Sequence, residues 1–77
     1  MSIFSANLTF LRKERKLTQF EVSQALCVKV KRYEAWEEGR AEPPYYLLVK
    51  IADFFEVSDI YQLLTFRLIT PPFVLPP

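Results

Sequence analysis

Two short helical segments joined by a tight turn, from Leu17 to Glu37, constrain the fold of this chain more than any other feature. Thr18 is a suitable N-cap and Glu21 follows three residues later, so each side chain can bond the backbone amide of the other residue. A helix is therefore predicted to begin at Thr18 and to stop at Cys27.

A second helix is predicted over 29–38. Val28, Tyr33 and Trp36 recur at helical spacing and form its inner side, while Gly39 supplies the left-handed residue that ends it. Lysines and arginine cluster at the start of this helix, where their side chains could reach into a groove of DNA.

The first of the two helices has an apolar side made of Val22 and Leu26. Ser23 and Ala25 are small, which favours close packing of another helix against them. Phe20 falls outside this pattern, and the pattern does not explain it.

Three further helices are predicted from apolar residues at helical spacing. The first runs from about Ser5 to Lys16, and the fourth follows two prolines and ends near Phe55. The fifth follows Ser58 as N-cap and ends near Phe66. Their apolar stripes consist of Phe4, Leu8 and Leu11; of Tyr45, Leu48, Ile51, Ala52 and Phe55; and of Ile60, Leu63 and Leu64.

At 77 residues, with 51% apolar residues and a single glycine, the chain suits one compact all-α domain. We assign the domain to 1–66 and an apolar tail to 67–77. Four prolines in the tail exclude a helix there. The tail is predicted either to cover its own domain or to dock on another subunit or protein partner, because that much apolar surface is disfavoured in water.

The residues for catalysis or cofactor binding are largely missing. The chain has no histidine, and its one glycine excludes a phosphate-binding glycine-rich loop. Its acidic residues lack metal-ligand spacing, and the lone Cys27 suits a small buried residue better than a nucleophile. We expect no enzyme activity, metal or cofactor. Without a secretion leader or a long apolar span, a cytoplasmic, nucleoid-associated protein is expected.

Charge is unevenly distributed along the chain. Residues 1–40 carry eight Lys or Arg against five Asp or Glu, whereas residues 41–77 carry two against four. The basic half contains the two-helix stretch, which is compatible with nucleic-acid binding.

Three runs resemble one known family: NLTFLRKERKLTQ at 7–19, YEAWEEGRAEP at 33–43 and LVKIADFFEVS at 48–58. They are similar to the Cro and phage-repressor (XRE-like) type of helix-turn-helix domain. The resemblance implies a five-helix, lambda-repressor-like fold that binds double-stranded DNA. Its helix-turn-helix would span about 18–37, with helix 29–38 in the major groove.

The resemblance also implies roles for individual residues. Gln19 would hold a phosphate and brace the groove-binding helix, and Arg40 would bind a phosphate just after that helix. Arg12 and Glu37 would form a structural ion pair between the first and third helices. Base contacts are implied for Val30, Lys31 and Ala35, and base or phosphate contacts for Lys29 and Arg32; Lys31 suits guanine best.

The chain departs from the family pattern at several positions. Cys27 stands where glycine is usual, so it must adopt a left-handed backbone or shift the turn. Lys29 replaces the usual Ser or Thr N-cap, and two base-facing positions are apolar. Glu34 and Glu38 add negative charge beside the expected DNA face.

Two hypotheses follow. The first is a sequence-specific DNA-binding transcriptional regulator, expected to be a homodimer because one domain contacts only a half-site. The second is a protein-interaction module that keeps the fold, binds DNA weakly or not at all, and uses its apolar tail. The aromatic surplus available for a dimer contact, or for cover by the tail, comprises Phe20, Tyr46, Phe54, Tyr61 and Phe66.

Overall fold

The computed structural model describes residues 2–65, which form five helices. These are α1 (Ile3–Glu14), α2 (Gln19–Leu26), α3 (Val30–Glu38), α4 (Tyr45–Phe54) and α5 (Ile60–Thr65). α1 packs against α3 and α5, α2 packs against α3 and α4, and α4 packs against α5. The predicted all-α, five-helix fold is confirmed. Phe66 and the predicted tail lie outside the described residues.

The core is built from the inward side of every helix. Leu8, Val22, Tyr33, Ile51 and Leu63 are fully buried, each at 0% exposure. Leu47, which the sequence pattern missed, is also buried, whereas Tyr45 from the predicted stripe is exposed. The prediction for Tyr45 was wrong because it begins α4, at the edge of the core.

Two other packing predictions fail at helix surfaces. Leu64 is exposed beside the buried Leu63. Ala25 is exposed, while Ser23 is buried and its hydroxyl donates to the Phe20 carbonyl at 2.8 Å. Small size at position 25 therefore does not mark a helix contact. Phe20 itself is exposed.

Side-chain caps set the starts of three helices. Thr18 Oγ1 accepts from the Glu21 amide at 3.0 Å and Glu21 Oε1 accepts from the Thr18 amide at 2.8 Å, which confirms the capping box. α1 begins two residues earlier than predicted because Ser2 Oγ accepts from the Ser5 amide. At α5 the Asp59 carboxylate, not Ser58, accepts from an amide of the first turn.

Four helices end in the same way, with one left-handed residue. Lys16, Cys27, Gly39 and Glu56 have φ of 56°, 61°, 78° and 59°. After each, the next amide donates to the carbonyl five residues back, as in a Schellman motif. The following residues Leu17, Val28 and Val57 pack against the core. Gly39 is confirmed as a helix end, and Lys16 lies beyond α1 rather than within it.

Candidate nucleic-acid interface

One buried carboxylate joins the first three helices. Glu37, near the end of α3, accepts from Arg12 Nε at 2.7 Å and from Arg12 Nη2 at 3.1 Å. Gln19 Nε2 of α2 donates to it at 3.0 Å, and the Tyr33 hydroxyl donates at 2.6 Å. Four donors thus satisfy its two oxygens. This Glu37 cluster links α1 and α2 to α3 and so orients α3.

The pKa values of the cluster reflect this arrangement. Burial alone would raise the pKa of Glu37, but hydrogen bonds from Arg12, Tyr33 and Gln19 outweigh it and hold that pKa below its ordinary value. The bond to Glu37 raises the pKa of Arg12. Burial, with the bond to Glu37, raises the pKa of Tyr33. The cluster therefore keeps one ionised pair and a neutral phenol at neutral pH.

Arg12 also donates from Nη1 to the Leu17 carbonyl at 2.9 Å. The pair with Glu37 lies where the family resemblance implies it. Sequence reasoning assigned Tyr33 only to the apolar core and missed its polar role. The spacing of Tyr33 and Glu37, four residues apart on one helix, was the available signal.

Basic side chains lie exposed at the start of α3. Lys29 is its N-cap residue and makes no side-chain capping bond. Lys31 follows on the exposed side, and the Arg32 guanidinium lies 5.6 Å from the ring centre of Trp36. These three cations stand beside the helix N-terminus, whose dipole adds to the positive potential. The arrangement suits contact with phosphates or base edges.

The two apolar positions of the predicted base-contact set differ. Val30 is partly exposed, so its methyl groups are available to a thymine methyl. Ala35 is only 9% exposed, although the family resemblance implies a base contact for it. Its side chain is short and nearly buried, so it offers little area for a base contact.

The two predicted phosphate ligands already have protein partners. Arg40 Nε lies 2.6 Å from Glu38 Oε1 in an exposed ion pair. Gln19 donates one amide hydrogen to Glu37, which leaves its second for another acceptor. Both phosphate contacts stay predictions. Gln19 also joins α2 to α3.

The turn between α2 and α3 keeps its geometry without glycine. Cys27 adopts φ 61° and ψ 42°, and the Val28 amide donates to the Ser23 carbonyl at 3.0 Å. Of the two outcomes open from the sequence, the chain tolerates the left-handed residue. The thiol is exposed, contrary to the expectation of a buried cysteine.

The basic end of α1 is partly committed to structure. Arg15 Nη1 donates to the Phe54 carbonyl at 3.1 Å, and its guanidinium lies near the rings of Phe54 and Phe55. Arg15 Nη2 is 3.7 Å from a carboxylate oxygen of Glu56. Arg15 thus stabilises the end of α4. The ring contacts also occupy Phe54, one of the surplus aromatics.

The described part of the chain was searched for other kinds of site. No group of acidic or cysteine side chains within residues 2–65 could hold a metal ion. No helix in that range is long and apolar enough to cross a membrane.

Comparison with known proteins agrees with the observed helical fold. A family model described as helix-turn-helix matches residues 9–62. An uncharacterized HTH-type transcriptional regulator, YqaE of Bacillus subtilis (strain 168), is 39% identical over 61 residues, which are 79% of this chain and 53% of that protein. The chain thus spans about half the length of this relative. No solved structure gives a significant match. The chain belongs to the helix-turn-helix family of the Cro and phage-repressor, XRE-like type.

Proposed function

We propose that this protein is a sequence-specific transcriptional regulator that binds double-stranded DNA with α3 in the major groove. The observation that carries the proposal is the pairing of an exposed basic helix start with a buried anchor. Lys29, Lys31 and Arg32 lie exposed at one end of α3, while Glu37 fixes the other end to α1 and α2. A recognition helix needs both features, because base contacts require side chains held in a defined position.

Family membership supports the same function. The relative YqaE is named as a transcriptional regulator, and this family is typical of regulators rather than enzymes. A regulator of this kind acts in the cytoplasm at the nucleoid. It uses Gln19 and Arg40 as phosphate ligands, and Lys31 as the principal base contact.

A homodimer is part of the proposal. One such domain contacts a single half-site, and two linked domains gain affinity and define a palindrome. Phe20 and Tyr46 are each more than half exposed, so aromatic surface is available for a second copy. Light scattering coupled to size-exclusion chromatography measures the mass directly. A monomer at all concentrations, with and without DNA, would contradict this part.

The DNA proposal is tested by fluorescence anisotropy on a random duplex pool and on a pool enriched by selection, at low and at physiological salt. We expect affinity that falls with salt, because bound phosphates release counterions, and an enriched palindrome. No binding at low salt would overturn the proposal.

Three alanine variants separate the roles of the basic residues. Lys31→Ala is expected to lose about 1–3 kcal/mol on the selected site and little on random DNA. Arg40→Ala should weaken binding to all sequences alike. Lys13→Ala removes the same charge from an exposed position on α1 and is the control for net charge. Unchanged binding in both test variants would show that the assigned contacts are wrong.

The alternative, a protein-interaction module with weak or no DNA binding, is not favoured by the comparisons. Its tail lies outside the described residues. The salt series distinguishes the two hypotheses. A module without DNA affinity gives no binding at any salt concentration, whereas the proposed regulator binds at low salt.

A further inference from the structure

The acidic residues of α3 differ in whether they have partners. Glu37 accepts four hydrogen bonds in its cluster, and Glu38 pairs with Arg40 at 2.6 Å. The side chain of Glu34 makes no hydrogen bond or ion pair within residues 2–65. It is partly exposed in the middle of α3. An unpaired carboxylate on the helix we assign to the major groove needs an explanation, because phosphates repel it.

Helical spacing places Glu34 beside Lys31. Residues three apart are surface neighbours, with Cβ atoms about 5–6 Å apart, although no salt bridge joins these two side chains here. A step along DNA is about 3.4 Å, so the two side chains reach the same base pair or adjacent pairs. Lys31 supplies only donors and Glu34 only acceptors.

The major-groove edges of the bases discriminate between these two chemistries. Guanine presents acceptors at O6 and N7, which suit the ammonium of Lys31. Cytosine presents only the N4 amino donor, which suits a carboxylate. Adenine also has an amino group, but its N7 acceptor beside that group repels a carboxylate.

We propose that Glu34 is a specificity residue, which selects a cytosine by accepting a hydrogen bond from its N4 amino group. This cytosine lies within about one base pair of the guanine contacted by Lys31. The inference rests on the proposed function, since it requires α3 in the major groove. It explains the negative charge at the DNA face as selection against other bases, and not only as lower affinity for DNA in general.

The experiment selects binding sites from a random duplex pool with three proteins: the full chain, its Glu34→Gln variant and its Glu38→Gln variant. Fluorescence anisotropy then measures the affinity of each protein for duplexes that carry each of the four bases at the selected position. Glutamine retains helix propensity and size but can donate as well as accept, which suits adenine N6 and N7. We expect Glu34→Gln to lower the preference for cytosine over adenine by about tenfold or more. Its affinity for random duplex should rise, because a negative charge is lost.

Glu38→Gln is the matched control. It removes the same charge from the same helix, so random-duplex affinity rises while the selected sequence stays that of the parent. Circular dichroism confirms that both variants keep the parent helix content. If Glu34→Gln selects the same bases as the parent, or if the parent selects no cytosine near its guanine, the inference is wrong while the proposed function stands. Absence of salt-dependent binding by the parent would instead overturn the proposed function, and the inference with it.

Discussion

Two adjacent glutamates near the end of α3 pair with arginines at nearly the same distance in very different surroundings. The atoms of Glu37 and Arg12 approach to 2.7 Å, and those of Glu38 and Arg40 to 2.6 Å. The first pair has side chains 5% and 14% exposed, the second 55% and 62%. The two ion pairs therefore differ in burial and not in distance.

The difference follows from what replaces each contact when it breaks. Water takes the place of either partner in the exposed pair, so its net contribution is small. A buried carboxylate that loses its cation keeps an uncompensated charge in a poorly hydrated site. The buried pair thus holds the domain together, while Arg40 can exchange Glu38 for another anion at little cost.

The largest expected effect is from Arg12→Ala. Because Glu37 then stays buried without its cation, we expect the free energy of unfolding to fall by about 3 kcal/mol. Urea denaturation followed by circular dichroism measures this. The neighbouring exposed substitution Lys13→Ala should change it by less than about 0.5 kcal/mol. An Arg12→Ala loss no larger than that of the control would show that burial does not distinguish the pairs.

Lowering the pH tests the pair of Glu37 and Arg12 without a substitution, because it protonates Glu37. The folded-state pKa of Glu37 lies below its unfolded value, so its contribution is present above the unfolded pKa, about 4.3, and is lost as pH falls through the folded pKa. The loss should be smaller than that of Arg12→Ala, because protonation removes the buried negative charge of Glu37, whereas Arg12→Ala leaves that charge without its cation. Urea unfolding across this pH range measures it. Glu37→Gln should flatten this dependence, and Glu38→Gln should leave it as in the parent.

Tyr33→Phe removes one of the four bonds to Glu37 and leaves both charges paired. A hydrogen bond to a charged group contributes about 1.5–3 kcal/mol, so we expect a loss near the lower end of that range. Tyr45→Phe, at a 71% exposed position, is the control and should be neutral. Thermal and urea unfolding should both show a larger loss of stability for Tyr33→Phe than for Tyr45→Phe. Equal effects at the two positions would argue against the cluster as a stabilising unit.

The smallest expected effect on stability is from Arg40→Ala, at less than about 0.5 kcal/mol. A double-mutant cycle with Glu38→Gln should give a coupling energy close to zero in moderate salt. The corresponding cycle of Arg12 and Glu37 should give a clearly larger coupling energy. A large coupling for the exposed pair would mean that Arg40 is not free to bind a phosphate.

Local chemistry explains which parts of the fold were predictable. Thr18 and Glu21 satisfy each other within one turn, so their spacing alone predicted the start of α2. Gly39 likewise predicted the end of α3. Ser58 and Asp59 are both good caps and adjacent, and the sequence does not rank them. Cys27 was ambiguous because a non-glycine residue can tolerate the left-handed region when packing on either side requires it.

Contacts between distant residues were less accessible. Arg12 and Glu37 are 25 positions apart, and only the family resemblance brought them together. Gln19 was expected to brace α3, yet its partner was not predicted, and Tyr33 was missed as a donor. The resemblance implies a base contact for Ala35, but it does not show that this side chain is only 9% exposed.

The left-handed residues at the helix ends lower the stability of the domain wherever they are not glycine. Residues with a Cβ in this conformation are disfavoured by roughly 1–2 kcal/mol relative to the right-handed region, and glycine is not. Lys16 and Glu56 both lie outside the α2–α3 unit. Glycine at either position is therefore expected to raise the melting temperature without changing the α3 residues that we propose contact DNA.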